Sequence, residues 1–139
     1  MRNRSAVVLI KNNQVCLIKR ERYMASTYFV FPGGGIKKGE TPREAAKREA
    51  FEELGVAVEL QECLGICEFN GIQYFYLGHI VAGTFGTGTG EEYTDESRNR
   101  GTYLPMWIDM DKITDLDVRP KEMVIKLQAL LADRGKVEK

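Results

Sequence analysis

Residues 34–56 read GGIKKGETPREAAKREAFEELGV, and most of this stretch has the pattern of a helix. We predict a helix over Pro42 to Leu54, because Thr41 is a typical N-cap and Glu44 completes a capping box. The proline at the first helical position suits the same start. Gly55 predicts the end of the helix, since glycine readily adopts the left-handed conformation that closes a helix.

Three glutamates lie on one face of this predicted helix. Glu49, Glu52 and Glu53 are spaced i, i+3 and i+4, so they fall within an arc of about 100°. Arg48 can neutralise only part of their charge, and the remainder suits a hard divalent cation such as Mg²⁺ or Mn²⁺. The alternative from spacing alone is a solvated helix face with surface ion pairs.

The rest of the chain predicts strands on both sides of this helix and a second helix at the end. The predicted strands are Ser5 to Ile10, Val15 to Lys19, Tyr28 to Phe31, Val56 to Leu60 running on into Gly65, Ile72 to Ala82 and Met106 to Asp109. Gly33 to Gly35 is expected to be a loop that allows close approach of a ligand. A long exposed loop is predicted over Gly83 to Gly101, and the closing helix over Pro120 to Leu131.

This order predicts an α/β fold, with a mixed sheet between helices, in a single domain over residues 1–139. Lys and Arg (20) balance Asp and Glu (20), which disfavours a nucleic acid polymer as partner. The longest apolar runs are too short to cross a membrane. The chain passes from Met-Arg-Asn-Arg directly into a strand pattern, so we expect no secretion signal and a cytoplasmic location, with reduced cysteines.

The quoted stretch also matches an ordered pattern: Gly, five residues, Glu, seven residues, Arg-Glu, an aliphatic residue, any residue, Glu-Glu, any residue, Gly and an aliphatic residue. Its fixed positions are occupied by Gly34, Glu40, Arg48, Glu49, Glu52, Glu53 and Gly55. The segment from Gly34 to Val56 therefore resembles the box of the Nudix hydrolase family, to which MutT-like enzymes belong. The one departure is Ala50, which is smaller than the usual aliphatic residue at that site.

The resemblance implies a Nudix-type α/β/α sandwich that hydrolyses a nucleoside diphosphate linked to another group X, with Mg²⁺ or Mn²⁺ as cofactor. It implies that the metal ligands are Glu49, Glu52, Glu53 and the backbone carbonyl of Gly33. Arg48 would orient the glutamates and Glu40 would brace the loop. For the carboxylate that positions or deprotonates water, the candidates are Glu53, Glu49 and, on the long loop, Glu92, with Glu91 or Glu96 as substitutes.

Candidate substrate contacts are spread over three strands. Arg20 and Arg22 could bind outer phosphates, and Phe29 and Tyr74 could stack on a base, as could Tyr28, Tyr76 and Tyr103. Each has an ordinary structural alternative, surface solubility for the arginines and sheet packing for the aromatic residues.

A small nucleotide is the expected partner, and a nucleoside triphosphate in the manner of nucleotide-pool sanitising enzymes is our first choice. The alternatives are a diadenosine polyphosphate, for which Tyr74 is the pointer, and a Nudix-like module that senses a nucleotide without turnover. Whether two chains pair as a homodimer stays open.

Overall fold

A computed structural model describes residues 2–21, 26–68, 70–88 and 102–137. In these ranges the chain forms a mixed sheet, two α-helices and one 3-10 helix, over Met110–Asp115. The strands are β1 (Arg4–Lys11), β2 (Gln14–Glu21), β3 (Tyr28–Val30), β4 (Gly33–Gly35), β5 (Val56–Glu68), β6 (Ile72–Gly83), β7 (Thr102–Asp109) and β8 (Val118–Arg119). The helices are α1 (Pro42–Leu54) and α2 (Lys121–Val137).

The sheet is mixed in strand direction. Its main order is β5-β6-β1-β2-β3-β8, with β4 paired to β1 and β7 paired to β2. β1 runs parallel to β6 and antiparallel to β2 and β4, while β3 runs parallel to β8. Strand β1 therefore lies at the centre of the sheet, and β4, the glycine run, pairs with it.

Each face of the sheet is covered by one helix. On one face, Ala50 and Leu54 of α1 pack with a group of buried side chains that includes Val7 and Leu9. On the other face, Met123, Val124 and Leu127 of α2 pack with Val8, Leu17, Phe31 and Phe75. This arrangement confirms the predicted α/β fold with a mixed sheet between helices. It also fixes α1 relative to β1 and β4, since the small side chains of α1 allow close packing on the sheet.

The helix that carries the glutamates begins and ends as predicted. The Thr41 hydroxyl accepts a hydrogen bond from the Glu44 backbone N–H (3.1 Å), and a Glu44 carboxylate oxygen accepts one from the Thr41 N–H (2.9 Å). Gly55 closes the helix in the left-handed conformation, with φ of 78°. Because these caps are local, they determine where the helix begins and ends, and the Ser5 hydroxyl, which donates to the Pro42 carbonyl at 2.6 Å, ties the helix start to β1.

Several element boundaries differ from the predictions. The glycine run Gly33–Gly35 is strand β4, not a loop, because a side chain at Gly33 would collide with the Ser5 carbonyl, so that only glycine allows this pairing with β1. β5 continues to Glu68, beyond Gly65, into which the strand was predicted to run, because it pairs along β6 through bulges that disturb the apolar alternation. Among the described residues no helix has the length and apolar character needed to span a bilayer.

Candidate active site

Arg48 of α1 connects the helix to the glycine strand and to the loop before the helix. Its Nε and Nη2 donate to the two carboxylate oxygens of Glu40, at 2.8 and 3.0 Å. Nη2 also donates to the Gly35 carbonyl, at 2.9 Å. This forked contact lowers the pKa of Glu40 from 4.5 to about 2, chiefly through the hydrogen bonds from Arg48. Glu40 also accepts a hydrogen bond from the Lys37 backbone N–H at 3.0 Å, so it connects Arg48 to the loop before the helix. The bracing role that the family resemblance implies stays a prediction.

The remaining nitrogen of the same guanidinium contacts the acidic face. Nη1 of Arg48 donates to Glu49 Oε1 at 2.8 Å and to Glu52 Oε2 at 3.2 Å. Three carboxylates thus contact one cation, and the contacts with Glu40, which is the largest cause, and with Glu49 raise the pKa of Arg48. The arginine fixes the directions of Glu49 and Glu52, and it leaves a local surplus of negative charge.

Glu53 is held by the glycine strand instead. The Gly33 backbone N–H donates to Glu53 Oε1 at 2.9 Å. The residue is 3% exposed, and Glu49 is 7% exposed. Close by, a methyl group placed on Gly34 would lie 2.5 Å from the Glu49 carboxylate. Burial, followed by the charge of Glu53, raises the pKa of the Cys16 thiol, so Cys16 stays a neutral core side chain.

The carboxylates of Glu49, Glu52 and Glu53 fit a hard divalent cation, which prefers oxygen ligands. Glu49 and Glu53 are buried, and Glu49 and Glu52 share the guanidinium of Arg48 with Glu40. In the described part of the chain, however, no three His, Cys, Asp or Glu side chains converge as a metal site. Glu49 and Glu52 point to Arg48, and Glu53 points to Gly33. The metal-ligand roles of the three glutamates and of the Gly33 carbonyl stay predictions.

The acidic face borders a large cleft with a volume of about 1270 Å³. Its acidic lining residues are Glu49, Glu52 and Glu53, beside Gly33–Gly35, together with Glu68 and Glu122. Its basic lining residues, besides Arg48, are Arg2, Arg4, Arg20, Lys37 and Arg119. A cleft with carboxylates at one wall and basic groups around them suits a polyanion bound together with cations.

The predicted substrate residues fall into three groups. Arg20 and Tyr74 line the cleft. Phe29 does not line it: it is 7% exposed and packs in the core beneath α2, because the alternation along β3 turns it to the face opposite Tyr28 and Val30. The expected stacking of Phe29 on a base is therefore wrong. Arg22 and the loop glutamates Glu92, Glu91 and Glu96 lie outside the described residues.

Several cleft residues were missed by the sequence analysis. Arg4 is the first residue of β1, whose pairing with β4 brings it opposite Gly35, and Arg2 lies two residues before the strand. Arg119 is on β8, a two-residue strand whose parallel pairing with β3 has no local sequence signal. Lys37 lies inside the quoted stretch, between Gly34 and Glu40 of the pattern. Its positive charge close to the glycine run could have indicated that it lines the site.

Comparison with known proteins identifies the class to which this site belongs. A family model described as "NUDIX domain" matches residues 1–127. Since this match covers most of the chain, the chain belongs to the Nudix family, as the box had indicated.

Particular relatives differ in what their names say they act on. An "ADP-ribose pyrophosphatase" of Methanocaldococcus jannaschii is 32% identical over 78 residues, which are 56% of this chain and 45% of the relative. An "oxidized purine nucleoside triphosphate hydrolase" of Danio rerio is 26% identical over 107 residues, 77% of this chain and 65% of the relative. The chain thus spans between about half and two thirds of the length of these two relatives.

Among solved structures, a Nudix hydrolase from Nitrosomonas europaea aligns with a TM-score of 0.74. The alignment covers 95% of this chain and 89% of that one, at 18% identity. At this identity the likeness concerns the fold, and it agrees with the sandwich described above.

Proposed function

We propose that this chain is a divalent-metal-dependent pyrophosphohydrolase that cleaves a nucleoside triphosphate. The observation that carries the proposal is the cluster in which Arg48 holds Glu40, Glu49 and Glu52 beside the buried Glu53, at the wall of a cleft with basic lining residues. The name of the Danio rerio relative supports a triphosphate, and the name of the Methanocaldococcus jannaschii relative makes ADP-ribose the second candidate.

The glutamates of α1 and the Gly33 carbonyl would hold Mg²⁺ or Mn²⁺. When bound, such an ion offsets phosphate charge and makes a coordinated water more acidic. The buried positions of Glu49 and Glu53 favour this role, because buried carboxylates need a positive partner. The Arg48 contacts to Glu49 and Glu52 would keep these two side chains in place between turnovers.

Glu53 is the first candidate for the carboxylate that orients or deprotonates the attacking water. Its Oε1 is fixed by the Gly33 N–H at 2.9 Å, so the side chain is positioned before substrate arrives. Glu49 is the second candidate, and Glu92, in the segment predicted as a long loop, is the third. The basic residues Arg20 and Lys37 would bind phosphate oxygens that the cation does not reach.

The proposal is tested by measuring phosphate, pyrophosphate and nucleotide release from a panel of substrates. The panel contains normal and oxidised nucleoside triphosphates, ADP-ribose and a diadenosine polyphosphate, each with Mg²⁺ and then with chelator. We expect metal-dependent turnover of a triphosphate, which Glu53→Gln reduces about a hundredfold or more. Glu62→Gln, a change at an exposed carboxylate in an outer ion pair, is the matched control. Nucleotide binding without release of any product would refute the enzyme proposal and favour the sensing module.

A further inference from the structure

The glycine strand β4 accommodates the side chain of Arg2 against Gly35. A Cβ atom at Gly35 would collide with Nε and Cζ of the Arg2 guanidinium and would lie 2.8 Å from its Nη2. The guanidinium therefore occupies the space that a side chain would need at this position. Gly35 is not a fixed position of the Nudix pattern, and its backbone does not have the positive φ that favours glycine. The contact with Arg2 is a physical reason for a glycine here.

The two faces of β4 carry groups of opposite charge. At Gly34 the space of a side chain is filled by the Glu49 carboxylate, whose oxygen would lie 2.5 Å from a Cβ atom. At Gly35, the next residue, that space is filled by the Arg2 guanidinium. Because successive residues of a strand point to opposite faces, the two groups lie on opposite sides of β4. The backbone of a single strand therefore separates the predicted metal site from the positive charge of Arg2.

The backbone that carries Arg2 is fixed on both sides. The Asn3 carbonyl accepts a hydrogen bond from the Ile36 N–H at 2.9 Å, just after β4. The Asn3 side-chain oxygen accepts one from the Ile72 N–H at 3.0 Å, at the start of β6. A side chain at Gly71 would lie 2.6 Å from the Arg2 carbonyl oxygen, so the two segments are in close contact. Since this backbone is already ordered, less conformational entropy is lost when the Arg2 side chain binds a ligand.

The charge around Arg2 favours an anionic ligand. Arg2 lines the cleft together with Arg4, which is opposite Gly35 on β1, and with Lys37. In the described part of the chain the exposed Arg2 guanidinium makes no hydrogen bond or ion pair with the protein. Its N–H groups match the oxygens of a phosphoryl group, with which arginine forms charge-assisted hydrogen bonds. A polyphosphate in the cleft is therefore the ligand that fits this group of cations.

We propose that Arg2 binds a phosphoryl group of the substrate, on the face of β4 opposite the Glu49 carboxylate. Gly35 is a positioning residue, because the absence of a side chain there lets the guanidinium lie against the strand. Arg2 precedes the Nudix box by more than thirty residues, and β1 brings it to the site through its pairing with β4. This inference rests on the proposed function for its substrate, but its binding step does not require turnover.

Calorimetric titration of inorganic tripolyphosphate into the protein, with Mg²⁺ and then in chelator, tests the binding step without a nucleotide. We expect Arg2→Ala to weaken the affinity about tenfold, with an unchanged thermal midpoint because the side chain is exposed. Lys38→Ala is the matched control: it removes one positive charge at an exposed position that does not line the cleft, and should weaken the affinity less than about twofold. Equal affinities in Arg2→Ala and Lys38→Ala, or no tripolyphosphate binding by the unmodified protein in either condition, would overturn the proposal.

The positioning step is tested with Gly35→Ala, alone and combined with Arg2→Ala. The added methyl group meets the end of a flexible side chain, so we expect the guanidinium to move away and tripolyphosphate affinity to fall about fivefold. In the Arg2→Ala background the same change should alter affinity less than about twofold, because no guanidinium is left to displace. An equal loss in both backgrounds would show that Gly35 acts through another contact, such as its carbonyl with Arg48, and would overturn the positioning role.

Turnover separates this inference from the proposed function. Arg2→Ala should raise the KM for a nucleoside triphosphate about tenfold, with a smaller change in kcat, since Arg2 is proposed to bind and not to react. If no nucleotide is hydrolysed at all, the proposed function fails while the tripolyphosphate titration still judges Arg2. If hydrolysis proceeds with the same KM in Arg2→Ala, the proposed function stands and the role of Arg2 is refuted.

Discussion

Replacing Glu40 by Gln removes the carboxylate that accepts the forked contact from Arg48. A pKa lowered from 4.5 to about 2 corresponds to at most about 3 kcal/mol of stabilisation near neutral pH. The side chains of Arg48 and Glu40 are 20% and 15% exposed, so solvent screens part of this interaction. We expect Glu40→Gln to lower the free energy of unfolding by about 1–2 kcal/mol at pH 7.

The stabilisation by Glu40 should depend on pH in a direction that follows from its lowered pKa. Because the folded state lowers the pKa of Glu40, its stabilising effect is complete above pH 4.5 and disappears as the pH falls toward 2. In urea unfolding experiments the difference between the unmodified protein and Glu40→Gln should be constant from pH 7 to about 5 and should have lost about half its size by pH 3. Glu62→Gln is the control and should show almost no difference, since its ion pair is exposed. A difference at pH 7 no larger than that of the control, or one that does not change with pH, would refute the role given to the Arg48 contact.

Further predictions concern the acidic face and the long loop. Glu53→Gln should reduce kcat about a hundredfold or more in steady-state assays while urea unfolding stays cooperative; unchanged turnover would remove Glu53 from the mechanism. Glu92→Gln should slow hydrolysis with little change in thermal midpoint, because Glu92 falls in the segment predicted as an exposed loop, which would contribute little packing; a change in stability alone would make Glu92 structural. Gly34→Ala should displace the Glu49 carboxylate, reducing kcat strongly at a stability cost of about 1–2 kcal/mol in urea unfolding; full activity would show that Glu49 can move without loss.

The features that could be predicted from sequence are those with local causes. Helix α1 was predicted with its exact bounds, because Thr41, Glu44 and Gly55 cap it through contacts with near neighbours. The packing of Ala50 and Leu54 on the sheet and the common face of the glutamates follow from helical periodicity. The resemblance to the Nudix box added the expectation that Arg48 orients these glutamates and that Glu40 braces the loop before the helix.

What could not be predicted depends on contacts between distant parts of the chain. The pairing of Gly33–Gly35 with β1 and of β8 with β3 is set by the whole sheet, and neither short segment has an apolar alternation of its own. A three-residue strand gives no indication of which of its faces reaches the cleft, which is why Phe29 was wrongly expected to stack on a base. Arg119 reaches the cleft only through β8, so its residue type alone gave no signal.

The claim on which the proposal depends is that the glutamates of α1 hold a divalent cation for nucleotide hydrolysis. This claim is tested by measuring the rate of nucleoside triphosphate hydrolysis at increasing Mn²⁺ concentrations, in the unmodified protein and in Glu49→Gln. We expect no activity in chelator, a saturable rise with Mn²⁺, and a requirement for at least about tenfold more Mn²⁺ in the variant. Full activity in chelator, or the same Mn²⁺ requirement in both proteins, would contradict the claim.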